Sequence, residues 1–211
     1  MTLKIVLADD HPIIVAAVRQ LLERSGHEIV AVAGSSGSLM EILAQHPCDL
    51  VITDFSMPNE DEADGLSLIG LLQRRLPEMP LIVLTMVTNP AVLQSILDIG
   101  VRGLINKTDA MTELATAVQT VMRGQIYVSK ASQRLLIQAG NGKSAQAVAL
   151  SPRETEVIRL FASGKSVTEI ARQLNRSVKT ISTQKQEAMA KLGLKNDFDI
   201  YAYAREKGML S

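Results

Sequence analysis

Residues Leu3–Pro12 read LKIVLADDHP, an apolar run that stops at two consecutive carboxylates. Its continuous Leu, Ile and Val side chains favour a strand that is buried on both faces. Four further short apolar runs follow, separated by stretches of helical periodicity: Ile29–Ala33, Leu50–Thr53, Leu81–Leu84 and Gly103–Ile105. Because parallel strands need a crossover between them, usually a helix, this alternation predicts an α/β fold built on a doubly wound (βα)5 parallel sheet.

Acidic, hydroxyl and amine side chains follow these runs. Asp9 and Asp10 come after the first run, Asp54 after the third, Thr85 after the fourth and Lys107 after the fifth. Ligands of such sheets bind outside the carboxyl ends of the strands, so these side chains are expected in one crevice. Crowded carboxylates raise one another's pKa, and Mg²⁺ relieves that repulsion through oxygen ligands. A carboxylate beside Mg²⁺ and a lysine is suited to attack a phosphoryl group.

Each of these residues also has an ordinary structural explanation. Asp9 and Asp10 could cap the next helix, and Asp54 could open a turn before Pro58. The arrival of all five side chains at strand ends, in one order, favours a shared pocket over five unrelated structural roles.

Charge is distributed unevenly along a chain whose formal net charge is zero. Residues 1–124 hold 8 Lys+Arg against 15 Asp+Glu, whereas residues 125–211 hold 14 against 7. This separation predicts two domains, of which the basic one is a candidate for nucleic-acid binding; uneven charge on one domain is the alternative.

The single cysteine, Cys48, excludes an internal disulfide. No apolar run approaches the roughly 18 residues of a membrane helix, so a cytoplasmic protein without membrane contact is expected.

The predicted domains cover residues 1–122 and 148–211, joined by a linker at 123–147 that contains one helix. Residues 140–147 are mostly small, which indicates a flexible connection. From Ser151 onward the pattern predicts an all-α domain of four helices. Its start signals are two capping boxes, Ser151-Pro152-Arg153-Glu154 and Ser166-Val167-Thr168-Glu169, then Ser177 for a third helix through Leu192 and Asp197 for a fourth.

The third of these helices has two contrasting sides. Val178, Ile181, Ala188 and Leu192 recur near helical spacing and are expected to face the core. The remaining surface mixes cations, hydroxyls and amides, a combination suited to phosphates and base edges: Lys179, Thr180, Ser182, Thr183, Gln184, Lys185 and Gln186. A merely solvated amphipathic helix would have a similar composition.

Residues 1–122 resemble the receiver domain of bacterial response regulators. The motifs that carry the resemblance are Asp9-Asp10-His11-Pro12, Asp54-Phe55-Ser56-Met57-Pro58, Leu84-Thr85 and Lys107. The resemblance implies that Asp54 accepts a phosphoryl group, with Mg²⁺ held by Asp9, Asp10, Asp54 and the backbone carbonyl of Ser56. It also implies that Thr85 hydrogen-bonds the phosphoryl group and that Lys107 pairs with it.

Three positions depart from the receiver pattern. The aromatic residue expected three positions before Lys107 is Leu104, so the coupling of Thr85 to an aromatic rotamer is absent or replaced. Thr108 stands where many receivers have proline. The loop before Gly65 is long, and its acidic side chains are interpreted as solvated charges rather than metal or partner contacts: Glu60, Asp61, Glu62 and Asp64.

Nearly all of residues 148–206 resemble the LuxR-type helix-turn-helix domain of the NarL/FixJ regulators. The matching segments include Leu150–Glu154, Glu169-Ile170-Ala171, Thr180-Ile181 and Lys191-Leu192-Gly193. The resemblance implies base contacts by Ser182, Thr183 and Gln186, and phosphate contacts by Lys179, Thr180 and Lys185. Gln184 replaces a frequent histidine. The acidic loop and the segment Leu174–Ser182 narrow the resemblance to a subgroup of phosphorelay regulators that also lacks the switch aromatic.

Together these resemblances imply a response regulator of transcription, not an enzyme, that is controlled by Mg²⁺-dependent phosphorylation of Asp54. The implied partners are double-stranded promoter DNA, a histidine kinase or phosphotransfer protein, a second copy of the chain and RNA polymerase. The alternative is a regulator that acts mainly through hetero-oligomers with auxiliary regulators, with phosphorylation secondary. A haloacid-dehalogenase-like hydrolase is disfavoured, because Ser56 stands where those enzymes carry a second aspartate.

Overall fold

The structure, a computed structural model, describes residues 2–57, 63–141, 150–192, 194 and 196–209. The chain forms two compact units, one of Met1–Met86 with Ile96–Gln133 and one of Val87–Ser95 with Arg134–Ser211. These units follow packing, and the functional boundaries near residues 122 and 148 stay predictions. Most of the predicted flexible segment 140–147 lies outside the described residues.

One sheet of six parallel strands organises the first unit, in the order β2-β1-β3-β4-β5-β6. The strands are β1 (Lys4–Ala8), β2 (Glu28–Ala33), β3 (Leu50–Asp54), β4 (Leu81–Thr85), β5 (Gly103–Asn106) and β6 (Tyr127–Val128). The first five confirm the predicted strands. The sixth was missed, because two residues are too few to leave a periodic pattern and only backbone pairing with β5 defines them.

Helices cover the sheet on both faces, which explains why β3 and β4 are buried along their whole length. On one face, side chains of β1, α1 and α5 share a core cluster that includes Leu7, Val18 and Leu114. The helices up to residue 141 are α1 (Pro12–Arg24), α2 (Ser36–Gln45), α3 (Leu66–Arg75), α4 (Pro90–Asp98), α5 (Ala110–Met122) and α6 (Lys130–Asn141).

Four further helices confirm the predicted all-α domain: α7 (Pro152–Ala162), α8 (Val167–Gln173), α9 (Val178–Leu192) and α10 (Asp197–Glu206). Both predicted capping boxes are present, and the Ser177 hydroxyl accepts the amide of Thr180 at 3.0 Å to cap α9. The predicted Asp197 cap is wrong by one residue. Asn196 has the extended backbone of an N-cap, and its side chain accepts the Asp199 amide at 3.1 Å.

A tight turn joins α8 to α9. It places Asn175 at a φ of 51°, a left-handed conformation that asparagine adopts more readily than most residues. This helix–turn–helix presents α9 as the exposed second helix of the pair. Within the described ranges, none of the helices combines the length and apolarity that a bilayer crossing requires.

Gly103 allows β5 to lie close against β4, which makes it a sensitive position of the sheet. A Cβ added there would lie 2.6 Å from Cγ1 of its buried partner Ile82. Overpacking of this kind costs about 1–3 kcal/mol, so Gly103→Ala is expected to lower the thermal midpoint of the first unit. Gly34→Ala is the matched control, since a Cβ there would meet nothing within 4 Å. Equal midpoints for the two variants in calorimetry would contradict the prediction.

Candidate functional site

The carboxyl edge of the sheet collects acidic side chains that are distant in sequence. β1 and β3 are neighbours whose register pairs Ala8 with Thr53, so Asp9 and Asp54 follow at the same level. Oxygen and nitrogen donor atoms of Asp9, Asp10, His11 and Asp54 all lie within 4.8 Å of one another. The predicted gathering of these carboxylates is confirmed as geometry, while their chemical roles stay predictions.

Lys107 lies in the middle of this acidic cluster. Its ammonium Nζ is 2.7 Å from Oδ2 of Asp54 and 2.8 Å from Oδ2 of Asp9. The lysine side chain is only 9% exposed, and both carboxylates are buried. The backbone amide of Lys107 donates to the carbonyl of Thr85 at 2.9 Å, which fixes the start of the β5–α5 loop at the same edge. One cation therefore partly balances two buried anions.

Burial dominates the electrostatics of Asp54. Burial and, to a smaller extent, the charge of Asp9 raise the pKa of this carboxyl, while the hydrogen bond and charge of Lys107 and the hydrogen bond from the Ser56 amide lower it; the net result is a pKa of about 6. Burial also opposes the charged form of Lys107. The hydrogen bonds and charges of Asp54 and Asp9 outweigh that effect and raise the pKa of the lysine. The site thus holds more negative charge than its one buried lysine neutralises.

His11 belongs to the cluster although its spacing from the other histidines indicated no ligand role. Its Nδ1 lies 2.7 Å from Oδ1 of Asp10, and its backbone amide donates to Oδ1 of Asp9 at 2.9 Å. The ring is 64% exposed, at the rim of the site. Sequence reasoning missed it because the signal, adjacency to the aspartate pair, is visible only when that pair is taken as a site.

The residues at this edge suit a hard divalent cation. Oδ2 of Asp9 is buried, and it lies 2.8 Å from the ammonium of Lys107. Together with Asp10 and Asp54 it offers carboxylate oxygens within 4.8 Å of one another, and carboxylate oxygens are ligands that Mg²⁺ prefers. The amide of Ser56 donates to Oδ1 of Asp54 at 3.3 Å, so the residue predicted to supply a carbonyl ligand is beside the site.

Thr85 reaches the site by way of the sheet register. Asp54 pairs with Leu84, the residue before Thr85, and Thr85 in turn pairs with Asn106, the residue before Lys107. Thr85 is fully buried. Three neighbouring strands thus bring the residues predicted as phosphoacceptor, hydroxyl donor and cation to the same edge of the sheet, each one residue further along than the partner of the one before.

Asp64 corrects the interpretation of the acidic loop as solvated. Its side chain is buried, and Oδ1 accepts the backbone amide of Met57 at 2.8 Å. The Ser56 hydroxyl donates to the other oxygen at 3.4 Å. Asp64 therefore fixes the chain just after Asp54, a structural role. The other three acids, Glu60, Asp61 and Glu62, lie outside the described residues.

Leu104, which stands in place of the switch aromatic, is completely buried in β5. The loop after β5 is hydrogen-bonded to residues at the start of α6. The amide of Asn106 donates to the Ser129 hydroxyl at 3.1 Å, and Asp109 accepts the amide of Ala131 at 3.2 Å. These hydrogen bonds flank Lys107 on both sides. Nothing in the local sequence predicts them, because the partners are more than 20 residues apart.

Helix α9 presents most of the predicted DNA-contacting residues on one exposed side. Lys179, Thr180, Thr183 and Gln186 are exposed, and Ser182 is half-buried. Ile181 and Ala188 face the core, as predicted. Lys185 differs from the other cation of the set: its side chain is only 12% exposed, and its Nζ lies 2.6 Å from Oδ1 of Asp197.

Two family models match separate parts of the chain. The response regulator receiver domain matches residues 5–119, and the luxR family of bacterial regulatory proteins matches residues 148–204. Full-length relatives agree. The transcriptional regulatory protein RcsB of Escherichia coli K12 is 42% identical over 206 residues, which span 95% of this chain and 93% of that protein. The oxygen regulatory protein NreC of Staphylococcus haemolyticus is 33% identical, with 99% of each covered.

Solved structures give the same result. An RcsB structure from Salmonella typhimurium matches with a TM-score of 0.84 and 38% identity, covering 98% of each chain. RcsB from the same organism, bound to promoter P1flhDC with the phosphomimetic BeF3-, matches with a TM-score of 0.83 and 40% identity over 98% of this chain and 100% of that one. RcsB is the regulator of the Rcs phosphorelay, the subgroup that the sequence motifs indicated. The chain belongs to the response regulators that join a receiver domain to a LuxR-type DNA-binding domain, and it is a relative of RcsB within them.

Proposed function

We propose that this protein binds promoter DNA under the control of phosphorylation at Asp54. The single observation that carries the proposal is the contact of the Lys107 ammonium with both Asp54 and Asp9 at the carboxyl edge of the sheet. That arrangement supplies a buried carboxylate, a fixed cation and further oxygen ligands at one point. A phosphate-controlled regulator of transcription acts where the promoters are, so we expect it in the cytoplasm.

In the proposed reaction, an oxygen of Asp54 attacks the phosphorus of a phosphohistidine or an acyl phosphate. The new O–P bond forms as the bond from phosphorus to the donor's nitrogen or oxygen breaks, and the leaving group keeps that electron pair. Lys107 would follow the charge, moving from the Asp54 carboxylate to the phosphoryl oxygens. Asp9, Asp10, Asp54 and the Ser56 carbonyl would hold Mg²⁺, which when bound neutralises phosphoryl charge.

The consequence of phosphorylation is proposed to be assembly on DNA. RcsB has been solved as dimers bound to DNA, and bound to promoters with a phosphomimetic. By similarity, a homodimer of this chain would place two copies of α9 in successive major grooves, with half-sites about 10 bp apart. A histidine kinase or phosphotransfer protein as donor, and RNA polymerase as the downstream partner, belong to the same proposal.

A second candidate function keeps the DNA-binding domain but assigns control to auxiliary regulators that form hetero-oligomers with this chain. The observation that favours it is Leu104, whose burial in place of an aromatic removes the usual rotamer switch. The two candidates differ in one measurable property, the dependence of promoter binding on Asp54.

Asp54→Ala is expected to abolish the uptake of a phosphoryl group from acetyl phosphate, because it removes the carboxylate that is proposed to attack the phosphorus. Intact-mass spectrometry measures the phosphoryl adduct, and EDTA is expected to suppress it in the wild type. Glu41→Ala, which removes an exposed acid of α2, is the control. An undiminished adduct on Asp54→Ala would refute the assignment. Promoter binding that ignores both the donor and this substitution would favour the auxiliary-regulator function.

Lys179→Ala is expected to weaken DNA binding by removing a phosphate contact. Each phosphate contact contributes about 0.9 to the slope of log affinity against log salt, so the slope should fall by about that amount. Fluorescence anisotropy on a duplex selected in vitro with this protein gives the slope. Lys4→Ala removes an exposed lysine of β1 and should leave the slope unchanged. A slope that Lys179→Ala does not alter would remove Lys179 from the interface.

Charge crowding predicts that Asp54→Asn stabilises the protein when divalent cations are chelated. The pKa of Asp54 is raised, mainly by burial, from its ordinary value of 3.8 to about 6, so ionised Asp54 destabilises the folded state above pH 6. The penalty shrinks as the pH falls through 6 and is absent below about pH 4. The urea midpoint of Asp54→Asn should therefore exceed that of the wild type at pH 7.5, and the two should converge in acid. A lower midpoint for Asp54→Asn at pH 7.5 would show that the ion pair with Lys107 outweighs burial.

A further inference from the structure

Lys185 lies on the inner side of α9 rather than on its exposed side. At about 100° of rotation per residue, it is about 40° from the buried Ile181. Ile181, Lys185, Ala188 and Leu192 therefore form one stripe along the helix. Lys179 lies about 160° from Ile181 by the same geometry, on the opposite side. Lys179 and Lys185 thus point in different directions.

The ammonium of Lys185 contacts side chains on two other helices, α10 and α7. Its Nζ lies 2.6 Å from Oδ1 of Asp197, the first residue of α10. The same ammonium sits over the ring of Phe161, on α7, at 3.7 Å from the ring centroid. Phe161 in turn packs against Tyr201 of α10, with ring centroids 5.9 Å apart. One side chain of α9 therefore contacts side chains of both α7 and α10.

These contacts oppose a role in holding DNA phosphates. A phosphate contact would require the ammonium to leave the Asp197 carboxylate and the aromatic ring, both of which attract it. The carboxylate of Asp197 also cancels the positive charge locally, whereas Lys179 is exposed on the far side of the helix. The orientation of α9 depends on few large apolar contacts, because only Ile181 and Ala188 of this helix are fully buried among its described residues. The charged contacts of Lys185 therefore hold α9 against its neighbouring helices, as the contacts of a larger apolar side chain would do in another helix.

We propose that Lys185 is a positioning residue, which with Asp197 and Phe161 sets the orientation of α9 and so aligns Thr183 and Gln186 with the bases. This inference rests on the proposed DNA-binding function. It replaces the phosphate contact that the family resemblance implied for Lys185.

The two roles predict opposite results for Asp197→Asn. If Lys185 contacts phosphate, removing the carboxylate frees a cation and removes an anion, and DNA binding tightens. If Lys185 positions α9, the same change loosens the helix and binding weakens. Lys185→Met, which keeps the chain length but removes the charge, should weaken binding in the same way.

The experiment measures the affinity of the full-length protein for an in vitro selected duplex and for a scrambled duplex across a salt series. Both Lys185→Met and Asp197→Asn are expected to weaken selected-duplex binding by about tenfold, the size of a lost contact pair. They should leave the salt slope unchanged and reduce the preference over the scrambled duplex. The double variant should be no weaker than either single variant, and Lys185→Arg should restore most of the affinity.

Several outcomes overturn the inference. They are a fall of about 0.9 in the salt slope of Lys185→Met, tighter binding by Asp197→Asn, and an unchanged preference between the two duplexes. Circular dichroism confirms folding at the assay temperature, and a loss of stability alone would lower the thermal midpoint without changing duplex preference. If Lys185→Met does not fold, Asp197→Asn decides the question, since the Asp197 side chain is 55% exposed. Failure of the wild type to bind any selected duplex would instead refute the proposed function.

Discussion

The shared contact of the Lys107 ammonium with Asp54 and Asp9 is the interaction on which the receiver unit depends. Parallel strands of matched register bring β1, β3 and the β5–α5 loop to one edge, and the side chains that follow them are compelled to meet. Three carboxylates and one buried lysine leave the edge short of positive charge. Burial makes Asp54 hard to ionise in spite of the lysine, and the deficit of positive charge creates the demand for a second cation at the proposed phosphoryl-accepting site.

The same edge is connected to the linker helix. Asn106 and Asp109, on either side of Lys107, are hydrogen-bonded to Ser129 and Ala131 at the beginning of α6. The short strand β6 extends the sheet next to β5 and brings α6 to this position. In a chain whose β5 carries a buried leucine instead of an aromatic, the loop that carries Lys107 is held by hydrogen bonds between backbone amides and polar side chains.

The helical unit places one residue type in two different environments within a single helix. Lys179 and Lys185 are six positions apart in α9, and composition treats them alike. Their angular positions on the helix distinguish them: Lys179 is on the solvent side, and Lys185 is on the stripe that packs inward. The ammonium of Lys185 also contacts the aromatic ring of Phe161 and the carboxylate of Asp197, because a partly buried ammonium requires such partners.

Strands and helices of this chain could be predicted from the sequence because burial and capping leave periodic, local signals. Continuous apolar runs marked β1 to β5, and serine capping boxes marked α7 and α8. The identity of the pocket residues was equally local, since each follows a strand that the pattern reveals. Only the tertiary structure decided that Asp64 is buried against Met57, that His11 joins the acidic cluster, that β6 pairs with β5, and that Lys185 turns toward Asp197. Each of these contacts depends on the distance and direction between two groups, which are fixed only when the chain folds.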